Sequence, residues 1–289
     1  MRIGRIGAVS DTGRRRLQNE DSLVCEPPLF AVADGMGGAQ AGEVASRIAA
    51  AALEELGRAE GASLPELVRE ANARVWRHAI EDPSAAGMGT TVTVALVREA
   101  EGAVEIGHVG DSRAYRIRDG VLEQLTSDHT LVAELVRTGR LTQEEADTHP
   151  QRSVITRAVG TEPDVEVDAF TVAAEVGDLY FLCSDGLTDM LADDDVLAAV
   201  VEADGEPQRA AENLVHEANR AGGMDNVSVI LFELLEDAVV EQPTAVAAPA
   251  PQAAADDVTL ATGAAEDVTH HGAGEGSRAA ALSAILLIA

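Results

Sequence analysis

The chain of 289 residues predicts an α+β fold: an antiparallel β-sandwich flanked by helix pairs on both faces, four layers in α-β-β-α order. Three observations predict it. Strand-like apolar runs cluster toward both ends of the first 236 residues, amphipathic stretches of helical period come in two pairs, and turn residues separate neighbouring runs at antiparallel spacing. In order along the chain, apolar runs at 2–9, 22–25 and 29–33 open it as three strands. AGEVASRIAAAALEELG (41–57) and LPELVREANARVWRHAI (64–80) each place apolar residues at i, i+3, i+4 and i+7, which gives a helix one face to bury. Runs at 90–97 and 103–109 return to strand. RAYRIRDGVLEQL (113–125) alternates on either side of Asp119-Gly120, a two-residue turn, and predicts a hairpin. Strands follow at 165–172, 178–183 and 227–234. Between the last two lie helices at 193–203, opened by an acidic cap, and at 207–221, opened by Pro207. There is no internal repeat.

Composition sets the boundaries of function. All 21 basic residues are arginine, against 50 acids, for a net charge of -29. Without a lysine amine, a Walker-type phosphate loop, a protein-kinase site and a Schiff-base enzyme are excluded. The strongly negative chain repels polyphosphates, so neither nucleic acid nor an anionic membrane is an expected partner. An anionic substrate must be drawn in locally, by arginine or by cations. At 46% hydrophobic but only 2% aromatic, the core must be aliphatic. Cys25 and Cys183 sit beside apolar runs and read as buried free thiols of a reducing cytoplasm. A cysteine-phosphatase loop needs Cys, five residues, then Arg; six positions on stand Ala31 and Asp189, so neither cysteine fits.

Residues 1–236 are expected to form one globular domain. Residues 237–278 carry seven acids and one base with no aromatic residue, the composition of a disordered linker or tail. The apolar end AAALSAILLIA (279–289) is too short to span a bilayer, which takes ~20 residues; it reads as a short sticky end or a truncated span, with C-terminal membrane association as the alternative. Charges at Arg2, Arg5 and Arg14 to Arg16 break up any signal peptide, so a cytoplasmic, monomeric protein without stable membrane insertion is expected.

The informative feature is where the acids fall. Asp34, Asp111, Asp185, Asp189 and Asp225 follow or adjoin apolar runs beside glycine or turn residues, so strands deliver them to a sheet rim. Any one alone reads equally as a turn residue, and Glu20-Asp21 as a solvated pair. Together they exceed what turn chemistry requires. Clustered carboxylates repel one another and are tolerated when cations lie among them, and all-oxygen donors favour Mg²⁺ or Mn²⁺ over Zn²⁺. Paired hard cations suit phosphoryl hydrolysis, for which the Arg14–Arg16 run could supply a guanidinium fork. That run reads equally as a solvated basic patch.

SDTGRRRLQNED (10–21), ADGMGG (33–38), MGTT (88–91), GHVGDSRAY (107–115), SVITRAVG (153–160), LCSDGLTDM (182–190) and DNVSV (225–229) occur in order. Together they resemble the metal-dependent Ser/Thr protein phosphatases of the 2C type, the PPM family, in bacterial form. The resemblance spans residues 5–234. It implies that Asp34 bridges two metals, that Gly35 offers its carbonyl, and that Asp185 and Asp225 complete the binuclear site. Glu20 and Asp21 hold metal-bound waters, and Arg16 binds the phosphate. Asp111 belongs to a third, weaker metal site with Asp189 as a partner, and Asn226 supports the ligands from behind. Segment 128–153, with His129, Arg137, Arg140 and His149, corresponds to a mobile flap where substrates are discriminated. Two Mn²⁺ or Mg²⁺ ions are the implied cofactors, with a weaker third.

Many eukaryotic relatives carry a histidine, the proposed general acid, where this chain has Met36. A metal-bound water near Asp111 is the preferred donor here; His108 and His129 are alternatives, each better read as structural or flap-borne. The leading expectation is hydrolysis of phosphoserine and phosphothreonine in proteins, including Ser/Thr kinases and their targets, by direct attack of a water activated by two metals. The alternatives are a catalytically weak regulatory module of the same fold and a phosphatase of anti-sigma-factor antagonists.

Overall fold

In the structure, a computed structural model, residues 1–37, 41–58, 61 and 63–237 are described. The chain passes through β1 (Arg2–Asp11), β2 (Asp21–Glu26), β3 (Leu29–Met36), α1 (Ala41–Gly57), α2 (Leu64–Glu81), β4 (Gly89–Thr90), β5 (Val92–Arg98) and β6 (Ala103–Val109). It continues through β7 (Arg113–Arg118), β8 (Val121–Gln124), α3 (Leu131–Arg137), α4 (Gln143–Asp147), β9 (Asp168–Ala173) and β10 (Leu179–Cys183). It closes with α5 (Asp185–Thr188), α6 (Asp193–Val201), α7 (Pro207–Ala221) and β11 (Val227–Leu235).

Two antiparallel sheets form. One has the order β1-β11-β10-β7-β8, the other β2-β3-β5-β6-β9, with β4 paired to β3. Strand alternation sorts the side chains into layers. On β10, Tyr180 and Leu182 face the other sheet, whereas Phe181 and Cys183 face α6 and α7. Phe30 and Phe232 stack between the sheets at 4.2 Å, with Tyr180 5.5 Å from Phe232. Three of the chain's few aromatics thus fill the space where the two sheets meet, while Tyr115 stacks on Phe181 on the helix side; truncating Phe232 to alanine would cost about 3–5 kcal/mol.

The outer layers follow from the helix patterns. α1 buries Ala41, Ala45, Ala49, Ala52 and Leu53, a stripe of small residues that lets the helix approach β3 closely. Gly35 records that approach: a Cβ there would lie 2.1 Å from the Gly42 carbonyl oxygen. α6 and α7 cover the opposite sheet. The predicted layers and both helix pairs are therefore present. At Asp119-Gly120 both residues take positive φ, 51° and 75°, as a hairpin turn that follows the strands' twist requires.

Several details differ from expectation. Helices α3 and α4 lie in the flap segment, where only polarity was legible. α6 has Ala192 at its N-cap with no side-chain cap; its three aspartates occupy the first turn, where they favour the helix dipole instead. The strand expected from residue 165 begins at Asp168. Asp34 lies inside β3, and Asp185 opens a one-turn helix after Ser184. Cys183 is buried as expected, but Cys25 is half-buried. Gly38 of the second motif, the acidic stretch from 238 onward and the apolar end 279–289 lie outside the described residues. Among the described residues, no helix is long and apolar enough to cross a membrane.

Candidate active site

One end of the sandwich gathers acids from both sheets. β2 begins with Asp21 and β3 carries Asp34, directly opposite one another in the antiparallel register. Asp111 stands where the chain leaves β6 for β7 and so crosses between sheets. Asp185 follows β10, and Asp225 precedes β11. Like charges opposite one another in a sheet are destabilising, so the Asp21–Asp34 pairing is not there for strand stability.

The local hydrogen bonds fix these acids without neutralising them. The Asp34 N–H donates to Thr91 Oγ1 at 3.0 Å, and its carbonyl accepts from Thr90 Oγ1 and from the Thr91 N–H at 2.8 Å. The Ser184 hydroxyl donates to Asp21 Oδ2 at 2.8 Å. Oδ1 of Asp21, of Asp111 and of Asp185 is each buried with no hydrogen-bond partner. Burial pushes the pKa of Asp21 and of Asp111 up to about 6, with neighbouring acids adding to the rise. Asp34 and Asp185 are raised well above the usual carboxylate range, first by burial and then by the acids around them.

Arg16 and Asn226 complete the rim. Arg16 Nη2 donates to Asp225 Oδ2 at 2.6 Å, and the guanidinium remains half exposed. The Asn226 amide holds the loop that bears Arg16: Nδ2 donates to the carbonyls of Thr12 (3.0 Å) and Gln18 (2.9 Å), and Oδ1 accepts the Glu20 N–H at 2.8 Å. A supporting role for Asn226 is what the resemblance implies. Arg14 meets the Gly223 carbonyl through its N–H instead, and the described residues give Arg15 no ion pair. Glu20 lies beside Arg16 and against Gly42; burial raises its pKa and Arg16 opposes the rise. Gly35 follows Asp34 where no side chain would fit.

Asp189 stands further out. Its Oδ1 is 3.2 Å from Arg152 Nη1 of the flap segment, yet its charge still reaches Asp111 and Asp185. A cleft of about 770 Å³ opens there, lined by Asp111, Asp185 and Asp189 on one side and by Arg137, Arg152 and Val136 on the other. The two histidines face inward. His108, fully buried, lies between the Thr93 hydroxyl at 2.9 Å and the Ser127 carbonyl at 3.2 Å, and burial lowers its pKa to about 3. His129 is buried against Gly110, Asp168 and Arg157. Both rings are committed to internal partners, which favours the structural reading over that of proton donor.

The donor set fits hard cations. Among the described residues no three acidic or imidazole side chains close around a single point. A magnesium-like ion, however, is commonly held by one or two carboxylates with waters and carbonyls filling the remaining positions. Buried carboxylate oxygens without partners, placed opposite like charges and with no cysteine or histidine among them, supply such donors. Arg152, Ser184 and Thr91 were not singled out from the sequence. Nothing local distinguishes them, because their partners lie 37, 163 and 57 residues away.

Residues 14–216 match the family model for protein phosphatase 2C. The chain is 43% identical over 237 residues to the serine/threonine protein phosphatase PstP of Mycobacterium tuberculosis, covering 80% of this chain and 45% of that protein. It thus spans about half the length of that relative. The serine/threonine phosphatase stp of Listeria monocytogenes is 38% identical over 238 residues, covering 78% of this chain and 93% of the relative. Among solved structures, that of M. tuberculosis PstP/Ppp superposes with a TM-score of 0.76 at 42% identity, over 81% of this chain and 100% of the other. The PstP catalytic domain in complex with two manganese ions superposes with a TM-score of 0.73 at 39% identity, over 81% and 99%. Family model, relatives and fold agree with the geometry of the acids: the chain belongs to the protein phosphatase 2C family, the bacterial PPM-type serine/threonine phosphatases.

Proposed function

We propose that this chain hydrolyses phosphoserine and phosphothreonine in proteins, Ser/Thr kinases among them, in the cytoplasm, with residues 1–236 as the catalytic domain. The observation that carries the reading is the buried acid cluster built from both sheets, with three carboxylate oxygens unpartnered and Arg16 at its edge. Asp34, Asp185 and Asp225 would hold two Mn²⁺ or Mg²⁺ ions with the Gly35 carbonyl, Glu20 and Asp21 would hold their waters, and Asp111 with Asp189 would serve a weaker third. The two manganese ions bound by a PstP relative support that assignment. When bound, such ions activate water at neutral pH and offset the charge of the phosphoryl oxygens.

The chain's own residues do the rest. Arg16, half exposed beside Asp225, presents a fork to two phosphoryl oxygens and orients phosphorus for in-line attack by water. Asn226 keeps the loop bearing Arg16 closed, so the guanidinium need not be ordered on binding. No cysteine is placed to form a phosphoenzyme: Cys183 is buried in the core, and burial raises its thiol pKa to about 12. Direct hydrolysis is the route the acid cluster and Arg16 support. A regulatory module that had abandoned catalysis would be expected to lose these acids, and all are present.

The test is turnover of a phosphothreonine peptide with Mn²⁺, with EDTA, and with Asp185→Asn. Activity that requires the metal and collapses in the variant is expected. Folded protein inert with every divalent cation would favour the regulatory module, and turnover indifferent to EDTA would refute the site.

A further inference from the structure

His129 is a buried imidazole that hydrolysis itself does not use, and its bonds run to two places at once. The backbone N–H of His129 donates to the Gly110 carbonyl at 2.8 Å, while the Gly110 N–H donates to His129 Nδ1 at 3.0 Å. Both backbone polar groups of Gly110 therefore end on this one residue. The His129 carbonyl in turn accepts the Thr156 N–H at 2.8 Å. Beside it, Leu131 N–H donates to the Val154 carbonyl and Thr130 bridges Ile155, so the chain entering the flap segment and the chain leaving it are pinched together at His129.

We propose that His129 is a positioning residue that fastens the Gly110–Asp111 turn to both roots of the 130–155 segment, so that the Asp111 carboxylate and the flap hold their places together. This rests on the reading of Asp111 as a cation ligand given above. Asp111 Oδ1 is buried with no hydrogen-bond partner, so its aim is set by its backbone, and that backbone begins at Gly110. Gly110 itself has little room to move. Its φ is +114°, in the region that favours glycine, and a Cβ there would lie 2.6 Å from the Thr91 side chain.

The far side of the ring fixes the proton. Nε2 lies 3.2 Å from Asp168 Oδ2 and 3.0 Å from Arg157 Nη1. Because Nδ1 accepts from Gly110, the neutral ring carries its proton on Nε2 and donates it to Asp168. Arg157 has acceptors of its own in Asp168 Oδ1 at 2.6 Å and the Glu166 carbonyl at 3.3 Å. The other tautomer would leave the buried Gly110 N–H without a partner. Asp168 and Arg157 therefore orient the ring, and the ring orients the turn.

Two substitutions separate this role from simple packing, since both delete the ring and its 4.7 Å contact with His108. His129→Asn keeps an acceptor near the place of Nδ1. His129→Gln reaches toward the place of Nε2 and loses the Gly110 contact. In calorimetric titrations with Mn²⁺, the most weakly held ion should bind the Asn variant within about twofold of wild type and the Gln variant about tenfold more weakly. Trypsin cleavage at the exposed Arg137 and Arg140 should likewise be about tenfold faster in the Gln variant alone. Two variants that behave alike in both readouts, whether intact or impaired, would overturn the proposal. Should neither variant fold, ¹⁵N NMR of the wild-type imidazole decides: an unprotonated Nδ1 and a protonated Nε2 are expected, and a proton on Nδ1 excludes the clasp. Wild-type turnover of p-nitrophenyl phosphate with Mn²⁺ is scored separately. Its absence would sink the phosphatase reading, while the proteolysis and NMR results would still judge His129.

Discussion

Strand β10 has an aspartate near each end, and the two are opposites. Asp178, just before the strand, has a side chain 1% exposed and is fully partnered. Arg118 donates to both of its oxygens at 2.6 Å, and the Glu175 N–H and the Tyr180 hydroxyl donate at 2.9 and 3.2 Å. Burial alone would raise its pKa, but those donors outweigh it and hold the carboxyl below the usual range. Asp185, just past the other end, is pressed among Asp34, Asp111 and Asp225 with Oδ1 unpartnered, and its pKa is driven well up. The same residue type on the same strand is a structural tie at one pole and a stored repulsion at the other. A protein retains such repulsion where a ligand of opposite charge offsets it.

The comparison can be broken most directly by exchanging the two carboxyls for amides. Asp185→Asn should lower phosphopeptide turnover roughly 10²–10³-fold, as loss of an electrostatic group at a reacting centre does, while the metal-free protein melts no lower than wild type. Asp178→Asn should do the reverse, with a loss of about 2–3 kcal/mol because one of the charge-assisted bonds from Arg118 is replaced by an amide N–H facing the guanidinium, which otherwise keeps only Glu175 and the Ala173 carbonyl, and with turnover per folded molecule kept. Calorimetry and single-substrate kinetics on both variants suffice; a destabilised but active Asp185→Asn would make the cluster structural. Next in size is Arg16→Lys. An ammonium cannot make the two-pronged contact, so KM for the phosphopeptide should rise about tenfold with kcat less affected; an unchanged KM would remove Arg16 from the phosphate.

Acidity sharpens the contrast, because the two poles respond with opposite sign. Asp21 and Asp111 have folded pKa values near 6, above the unfolded value of about 3.8. Their contribution to stability in the metal-free chain is full below about pH 4 and is lost as pH rises through about 6. Mn²⁺ competes with those protons, so the rise in Tm on adding Mn²⁺ should grow between about pH 5 and about pH 7. Asp178 contributes above its unfolded pKa and fades as pH falls through its lowered folded value. Melting curves with Mn²⁺ and with EDTA from about pH 3 to about pH 7 would show both, the Asp178 effect at the acid end, and a Mn²⁺ increment independent of pH would contradict the cluster. The smallest effect is expected from removing residues 238–289: small-phosphopeptide turnover should stay within about twofold of the full chain, since no residue placed at the site lies beyond Asn226. A folded but inactive truncation would mean that the tail takes part in catalysis.

Much of this was legible in the residues. Period-two and helical patterns placed the long strands and both helix pairs, and Asp119-Gly120 marked its hairpin, because those signals are local. Thr142 to Glu145 is a capping box that could have revealed α4, since the hydroxyl and carboxylate reciprocate across the first turn. α3 and α4, at seven and five residues, are too short for an apolar face to stand out. The seven ordered motifs named Asp34, Asp185 and Asp225, and the structure brings them to one pole with Asp21 and Asp111.

By itself, then, the sequence determined which segments are strands and helices and which side chains are available to bind a cation. The tertiary structure decided which acids are tied and which are left unpaired. It set Asp21 opposite Asp34, gave Asp178 to Arg118 from 60 residues away, and hung the Asp111 turn on His129. Periodicity is a property of neighbours in the chain. The charge state of a carboxyl is a property of its surroundings in space, and no local pattern records those.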